Sequence, residues 1–175
     1  MQINLRRTAK RPKACSARQT SANSLAESPL ALLVMSVVIL FMISLFSLLT
    51  GYATLNFASQ AAAREAGSSQ TRSAARAAMQ RIGDQILSGP MGQFGGISPK
   101  NSTGMTLRTF RVLDGGTPEQ FDVAPGSNIA VDQSRYSYTY VIDARYSITP
   151  LLLPFAFPVQ AQSTCALEHP EGIAI

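Results

Sequence analysis

Histidine occurs once in this chain and cysteine twice, and charge is missing from its most apolar stretch of 36 residues. A catalytic constellation needs a nucleophile, a base and an orienting group, or else a cluster of metal ligands. His169 stands in Leu167-Glu168-His169-Pro170-Glu171 with no cysteine beside it, so it reads as a solvated residue of the C-terminal tail rather than a ligand or a base. Two cysteines, Cys15 and Cys165, are too few and too far apart for a disulfide framework or a zinc site. The glycine pairs Gly95-Gly96 and Gly115-Gly116 lack the spacing of a phosphate-binding loop. The sequon at Asn101-Ser102-Thr103 matters only in a host that glycosylates it. These scarcities exclude the common enzyme classes, and no cofactor or metal is expected.

The scarcity of charge is positional. No acid precedes Glu27, whereas Arg6, Arg7, Lys10, Arg11, Lys13 and Arg18 do. Residues 28–63 carry no charge at all, and within 30–49 only Ser36, Ser44 and Ser47 interrupt the apolar residues. Twenty such residues are enough to span a hydrocarbon core of about 30 Å. Beyond the span nine basic residues balance nine acids, so the net charge of +5 belongs to the tail. A basic flank is retained in the cytoplasm, which orients the chain N-in and C-out. That rule accounts for the tail without a nucleic-acid partner, and the tail lacks the interleaved aromatics that nucleic-acid binding would use. In this topology Cys15 and Cys165 lie on opposite sides of the membrane; Cys165 is then a small residue of the last strand or a thiol that pairs between chains.

A basic region followed by an apolar core also describes a secretory signal, and Ser59-Gln60-Ala61 supplies a small-x-small site. The apolar run is longer than the 7 to 15 residues typical of signal cores. An uncleaved bitopic anchor is therefore expected, with a released soluble domain as the alternative.

After the span, residues 51–88 are rich in alanine and poor in β-branched residues, which favours helix. Leu55, Ala58 and Ala62 recur at helical spacing, as do Ala75, Met79, Ile82 and Ile86. The spacing predicts a long amphipathic helix, loosened at Gly67-Ser68-Ser69 and stopped by Ser88-Gly89-Pro90, whose stripe packs on its own domain or on sister subunits. Residues 91–104, with four glycines and a proline, read as a loop. Period-two patterning returns at 106–113, before the turn residues Asp114-Gly115-Gly116, and most clearly at 135–148. There Tyr136, Tyr138, Tyr140 and Ile142 share one face, either packed against the helix or open as a sugar-binding platform. Pro150, Pro154 and Pro158 then punctuate Leu151, Leu152, Leu153, Phe155 and Phe157, a run that prolines keep out of a central strand. Exposed apolar patches mark contact surfaces, so these five residues are the candidate interaction surface, toward lipid or toward a partner subunit. A final strand is expected at 159–167. The fold class is α+β: a single N-terminal transmembrane helix continuing into an amphipathic helix packed on a small antiparallel β-sheet. The segments are a basic tail (1–27), a span (28–50), a helix (51–88) and a β-rich domain (89–175).

Two blocks, Glu27 with the span and Ala61-Ala62-Ala63-Arg64-Glu65-Ala66-Gly67, and the terminal 146–168 with its proline-bounded apolar turn, resemble the TadE-like family of pseudopilins, minor subunits of tight-adherence (Tad) pili. The resemblance covers roughly a third to two fifths of the chain. It implies a pilin-like fold in the bacterial inner membrane, with the C-terminal domain periplasmic. It implies as partners the lipid bilayer, other pilin or pseudopilin subunits, inner-membrane assembly proteins and a prepilin peptidase. Such a peptidase leaves Glu at the fifth mature position, which puts the cut between Ala22 and Asn23, although Ala22 stands where the family usually has Gly. A carboxylate at this depth is costly unless it meets a cation, and the new amine of a neighbouring subunit would be one. The residues alone also allow a simpler reading: Ser28 caps the helix, Pro29 takes its first position, and Glu27 favours its positive end. Outside the family, the same chain would be a membrane-anchored accessory protein of a secretion or conjugation apparatus.

Overall fold

The structure, a computed structural model, describes residues 17–99, 104–113, 115–121 and 131–174, with backbone alone for 17–28, Pro99 and Ala174. Cys15, the basic positions 6–13, the sequon at 101–103 and Asp114 lie outside the described residues. The described chain is α+β and divides into two units at Leu40 and Phe41.

Helix α1 runs Ala17–Gly67, 51 residues. This corrects the simpler reading of its start: Ser28 is not the cap, and Pro29 lies inside the helix. An interior proline removes one backbone hydrogen bond and crowds the preceding turn, a local cost that a helix this long absorbs. In the first unit every side chain described, 29–40, is exposed, and Ser36 satisfies its hydroxyl by donating to Leu32 O at 2.8 Å. A helix apolar on all sides with no protein around it is long and apolar enough to cross a membrane.

The second unit begins within the same helix and builds a sheet on it. Ser44, Ser47, Gly51, Thr54, Leu55, Ala58, Ser59, Ala62, Ala63, Ala66 and Gly67 are buried, a stripe at steps of one, three and four. Nearly all are small. The single long helix expected over 51–88 is instead two. Helix α1 ends at Gly67, whose carbonyl accepts from Glu168 N at 3.1 Å. Helix α2 (Arg72–Leu87) restarts from Thr71, whose Oγ1 accepts from Ala74 N at 3.2 Å. Residues 91–104 are not one loop either: a one-turn helix α3 (Pro90–Phe94) and a short strand β1 (Ile97–Pro99) occupy the first half.

Strands β2 (Met105–Leu113), β3 (Glu119–Gln120), β4 (Tyr136–Ile148) and β5 (Phe157–Ala166) complete an antiparallel sheet. β4 is central. One edge pairs with β5 from Thr139↔Ala166 to Ile148↔Phe157; the other takes β2 and then, past 100–104, β1. Its period-two pattern puts Tyr138, Tyr140, Ile142, Ala144, Tyr146 and Ile148 on the buried side, where most of them meet the alanines of α1 with Ala75 and Met79 of α2. The opposite side carries the Arg108–Asp143 ion pair at 3.1 Å and the exposed Gln160, Gln162 and Thr164. A sheet with one packed and one wet face needs this alternation. Pro158 is tolerated in β5 because β5 is an edge strand.

The C-terminal tail is not free. Pro170–Ala174 forms a 3-10 turn, Ile173 is buried against Tyr138, and Glu171 accepts from Gln133 Nε2 at 3.1 Å. Its backbone amide and His169 hold the Glu171 carboxyl below its ordinary range.

The α3–β1 connection meets α1 backbone to backbone where two glycines face: a Cβ on Gly95 would stand 2.5 Å from Gly51 Cα and 2.9 Å from Gly51 N. Backbone cannot yield as a side-chain tip can. Gly95→Ala is therefore expected to destabilise the folded chain by about 1–3 kcal/mol, as overpacking does, measured by urea titration in detergent micelles with Met91→Ala, an exposed neighbour, as the unaffected control.

Candidate interaction surface

The residues singled out for chemistry do not assemble into a reactive site. His169 Nδ1 lies 3.2 Å from Glu171 Oε1 on the surface. No group of three His, Cys, Asp or Glu side chains able to hold a metal occurs among the described residues. Two open grooves of about 360 and 280 Å³ flank β5; Arg145, Pro158, Val159 and Gln160 line the first, and Gln60, Ala63, Arg64, Gln162, Ser163 and Thr164 the second. Neither encloses a buried polar group that would orient a ligand. Tyr138, Tyr140 and Tyr146 are 2–6% exposed, which removes them as a sugar platform. Burial pushes the Tyr140 and Tyr146 hydroxyls up from their ordinary value, so both stay neutral. Cys165 is half-buried in β5, its Sγ 2.5 Å from where a Cβ on Gly67 would stand, so it fills space beside the helix end.

The backbone of Ala22, Asn23 and Glu27 lies in α1, while their side chains fall outside the described residues. No contact of the Glu27 carboxylate is therefore part of the site.

The proline-bounded run does form a surface. Pro150 is fully buried and pins the turn, and Leu153 N donates to Pro150 O at 3.2 Å. Leu151, Leu152 and Phe155 are 62%, 46% and 58% exposed; Leu153 is half-buried and Phe157, the first residue of β5, is 39% exposed. Two further segments meet beside it. Thr149 N donates to Gly96 O at 3.0 Å, which ties the turn to the α3–β1 connection. Ile148 Cδ1 lies 3.1 Å from where a Cβ on Gly51 would stand. From α1, Ser47 Oγ donates to Phe94 O at 2.8 Å, and Phe46 meets the Phe94 ring edge-on at 6.0 Å. Met91, 67% exposed, lies three residues before Phe94 in the same short helix α3. Sequence reasoning found 151–157 by its prolines but missed Met91 and Phe94, because the glycines around them read as loop. The available signal was charge: none occurs between Asp84 and Lys100, nor between Arg145 and Glu168.

The tip and its base are expected to separate in a stability test. Ile148→Ala, at a fully buried position, should cost about 2–5 kcal/mol. Leu151→Ser with Phe155→Ser removes little packing within the chain, so its cost should fall well below that of Ile148→Ala. Thermal unfolding in micelles reads both.

Comparison with protein-family models, with curated proteins and with solved structures finds no match, so the functional reading rests on the residues and geometry above.

Proposed function

We propose that the chain is a single-span structural subunit of the TadE-like pseudopilin kind, which takes part in assembling a Tad-type pilus by packing and not by catalysis. Its tail is cytoplasmic, its span lies in the bacterial inner membrane and its sheet is periplasmic. One observation carries this reading: helix α1 is exposed and apolar over 29–40 and is the spine of an antiparallel sheet over 44–67. A subunit built this way can be held in the bilayer by one part of the helix and offer the other part, with its sheet, to an assembly.

Two further observations support it. The first turn of α1 holds no acid, and Glu27 lies ten residues past the helix start, so helix-end electrostatics do not account for it in the uncut chain. A cut between Ala22 and Asn23 would make it the fifth residue, one turn from a new amine. The other partners of this reading are sister pilin or pseudopilin subunits, the inner-membrane assembly proteins and a prepilin peptidase.

The test is the mature start of the chain, read by mass spectrometry from membrane, pilus and medium fractions of cells that assemble Tad-type pili. Asn23 is the expected first residue. Met1 in cells that process their major pilin normally would leave a plain accessory anchor, and a start near Ala62 would indicate a released domain. Glu27→Gln is expected to insert in the membrane normally yet to be lost from the pilus fraction.

A further inference from the structure

Three uncharged stretches of sequence meet at one end of the second unit: the 41–63 part of α1, residues 85–99, and residues 146–167. Their meeting follows from strand direction. Gly67 lies against Cys165, whose partner on β4 is Tyr140. Ser59 Oγ stands 2.8 Å from Ser163 Oγ, level with Ile142. Gly51 lies against Ile148. Strand β4 therefore descends α1 from its C-terminal end, and the spans agree: sixteen helical residues cover about 24 Å and eight strand residues about 26 Å. The β4–β5 turn must then lie beside α1 below Gly51, within the apolar run itself. The contacts of Ser47 and Phe46 with Phe94 reach the same depth, and the stripe of buried residues on α1 begins lower still, at Ser44. Ser44 sits five residues inside the end of the 30–49 run, about 7.5 Å along the axis.

If residues 30–49 lie in hydrocarbon, this end of the domain cannot stand clear of it. We infer that the tip formed by Met91, Leu151, Leu152, Phe155 and Phe157 is sunk into the outer boundary of the bilayer beside its own helix. The occupant of this apolar patch is lipid, because the patch is continuous with the lipid-facing surface of α1: Phe46, Leu49 and Tyr52 are 65%, 64% and 48% exposed at the same level. Charges, by contrast, collect away from the tip: Arg111 pairs with Glu119 at 2.8 Å, and Asp132, Arg135 and Glu171 lie toward the start of β4. The tip residues are all apolar, and Arg145 lies on the opposite face of β4 in a groove with Pro158, so insertion into zwitterionic lipid is driven by apolar area and is insensitive to salt. The sheet is thereby fixed against the membrane surface at a second point besides the helix.

This inference rests on the single-span reading, and the test separates the two. The chain contains no tryptophan, so one introduced indole is a clean reporter. The full chain carrying F155W, reconstituted in phosphatidylcholine vesicles with lipid brominated on the upper acyl chain, is expected to lose at least about half its emission, since such a face sinks about 5–10 Å. The loss should be the same at low and high salt. L113W, at the far end of β2 beside Tyr136, should lose little. F41W, within the apolar run, reports the span itself. Quenching of F41W without quenching of F155W overturns the inserted tip and leaves the anchor standing; quenching of neither overturns both. F155W emission that is protected increasingly as the chain-to-lipid ratio rises would assign the patch to a second copy of the chain and overturn the inference.

Discussion

Everything in the second unit depends on how closely a sheet can approach one face of α1. Ser44, Ser47, Gly51, Ala58, Ser59, Ala62, Ala63, Ala66 and Gly67 give that face almost no side-chain height. Opposite them, Ala144 and Ala161 are direct neighbours across β4 and β5, so the sheet is low where the helix lies over it. Close-packed interiors need such matched relief, since a void leaves the lining atoms without contacts. The larger groups, Tyr140, Ile142, Leu55 and Met79, fill the flanks. Ser59 and Ser47 each find a partner across the seam, so the small polar residues add hydrogen bonds without adding bulk.

The exposed surface of α1 changes character along its length. Over 29–40 it is apolar apart from Ser36, and beyond Gln60 its exposed positions carry Arg64 and Glu65, the latter accepting from Arg81 of α2 at 3.1 Å. That ion pair is half-exposed on both sides and is a minor contribution beside the seam. Between these limits the helix is apolar outward and small-residued inward, and the tip of the sheet shares its lack of charge. The proposed pseudopilin role uses this: one continuous helix supplies both the apolar run and the surface on which the sheet packs.

Much of this was legible in sequence where one signal dominated. The long apolar helix was visible because thirty-six consecutive residues carry no charge. Strand β4 was visible because period two persists through Tyr136–Ile148. The start of α1 was misread because Ser28-Pro29 imitates a helix cap, while the chain continues the helix back to Ala17. Helix α3 and β1 were hidden because Gly92, Gly95 and Gly96 weigh toward a loop, although Gly95 is there for contact with Gly51. The tail read as solvated because five residues are too few to show a pattern, yet Ile173 reaches Tyr138. At the surface patch, composition marked Leu151, Leu152 and Phe155. Only the antiparallel descent of β4 along α1 could show that Met91 and Phe94 belong beside them.

The packing of the sheet on the second half of α1 is tested most directly by hydrogen exchange on the full chain in lipid nanodiscs. The account expects amides of 52–66 to exchange as slowly as those of β4, with a sharp rise at 70–71, past the last backbone hydrogen bonds of α1 and before α2 has begun. Fast exchange across 52–66 while β4 stays protected would mean that the helix is not part of the core, and would contradict it.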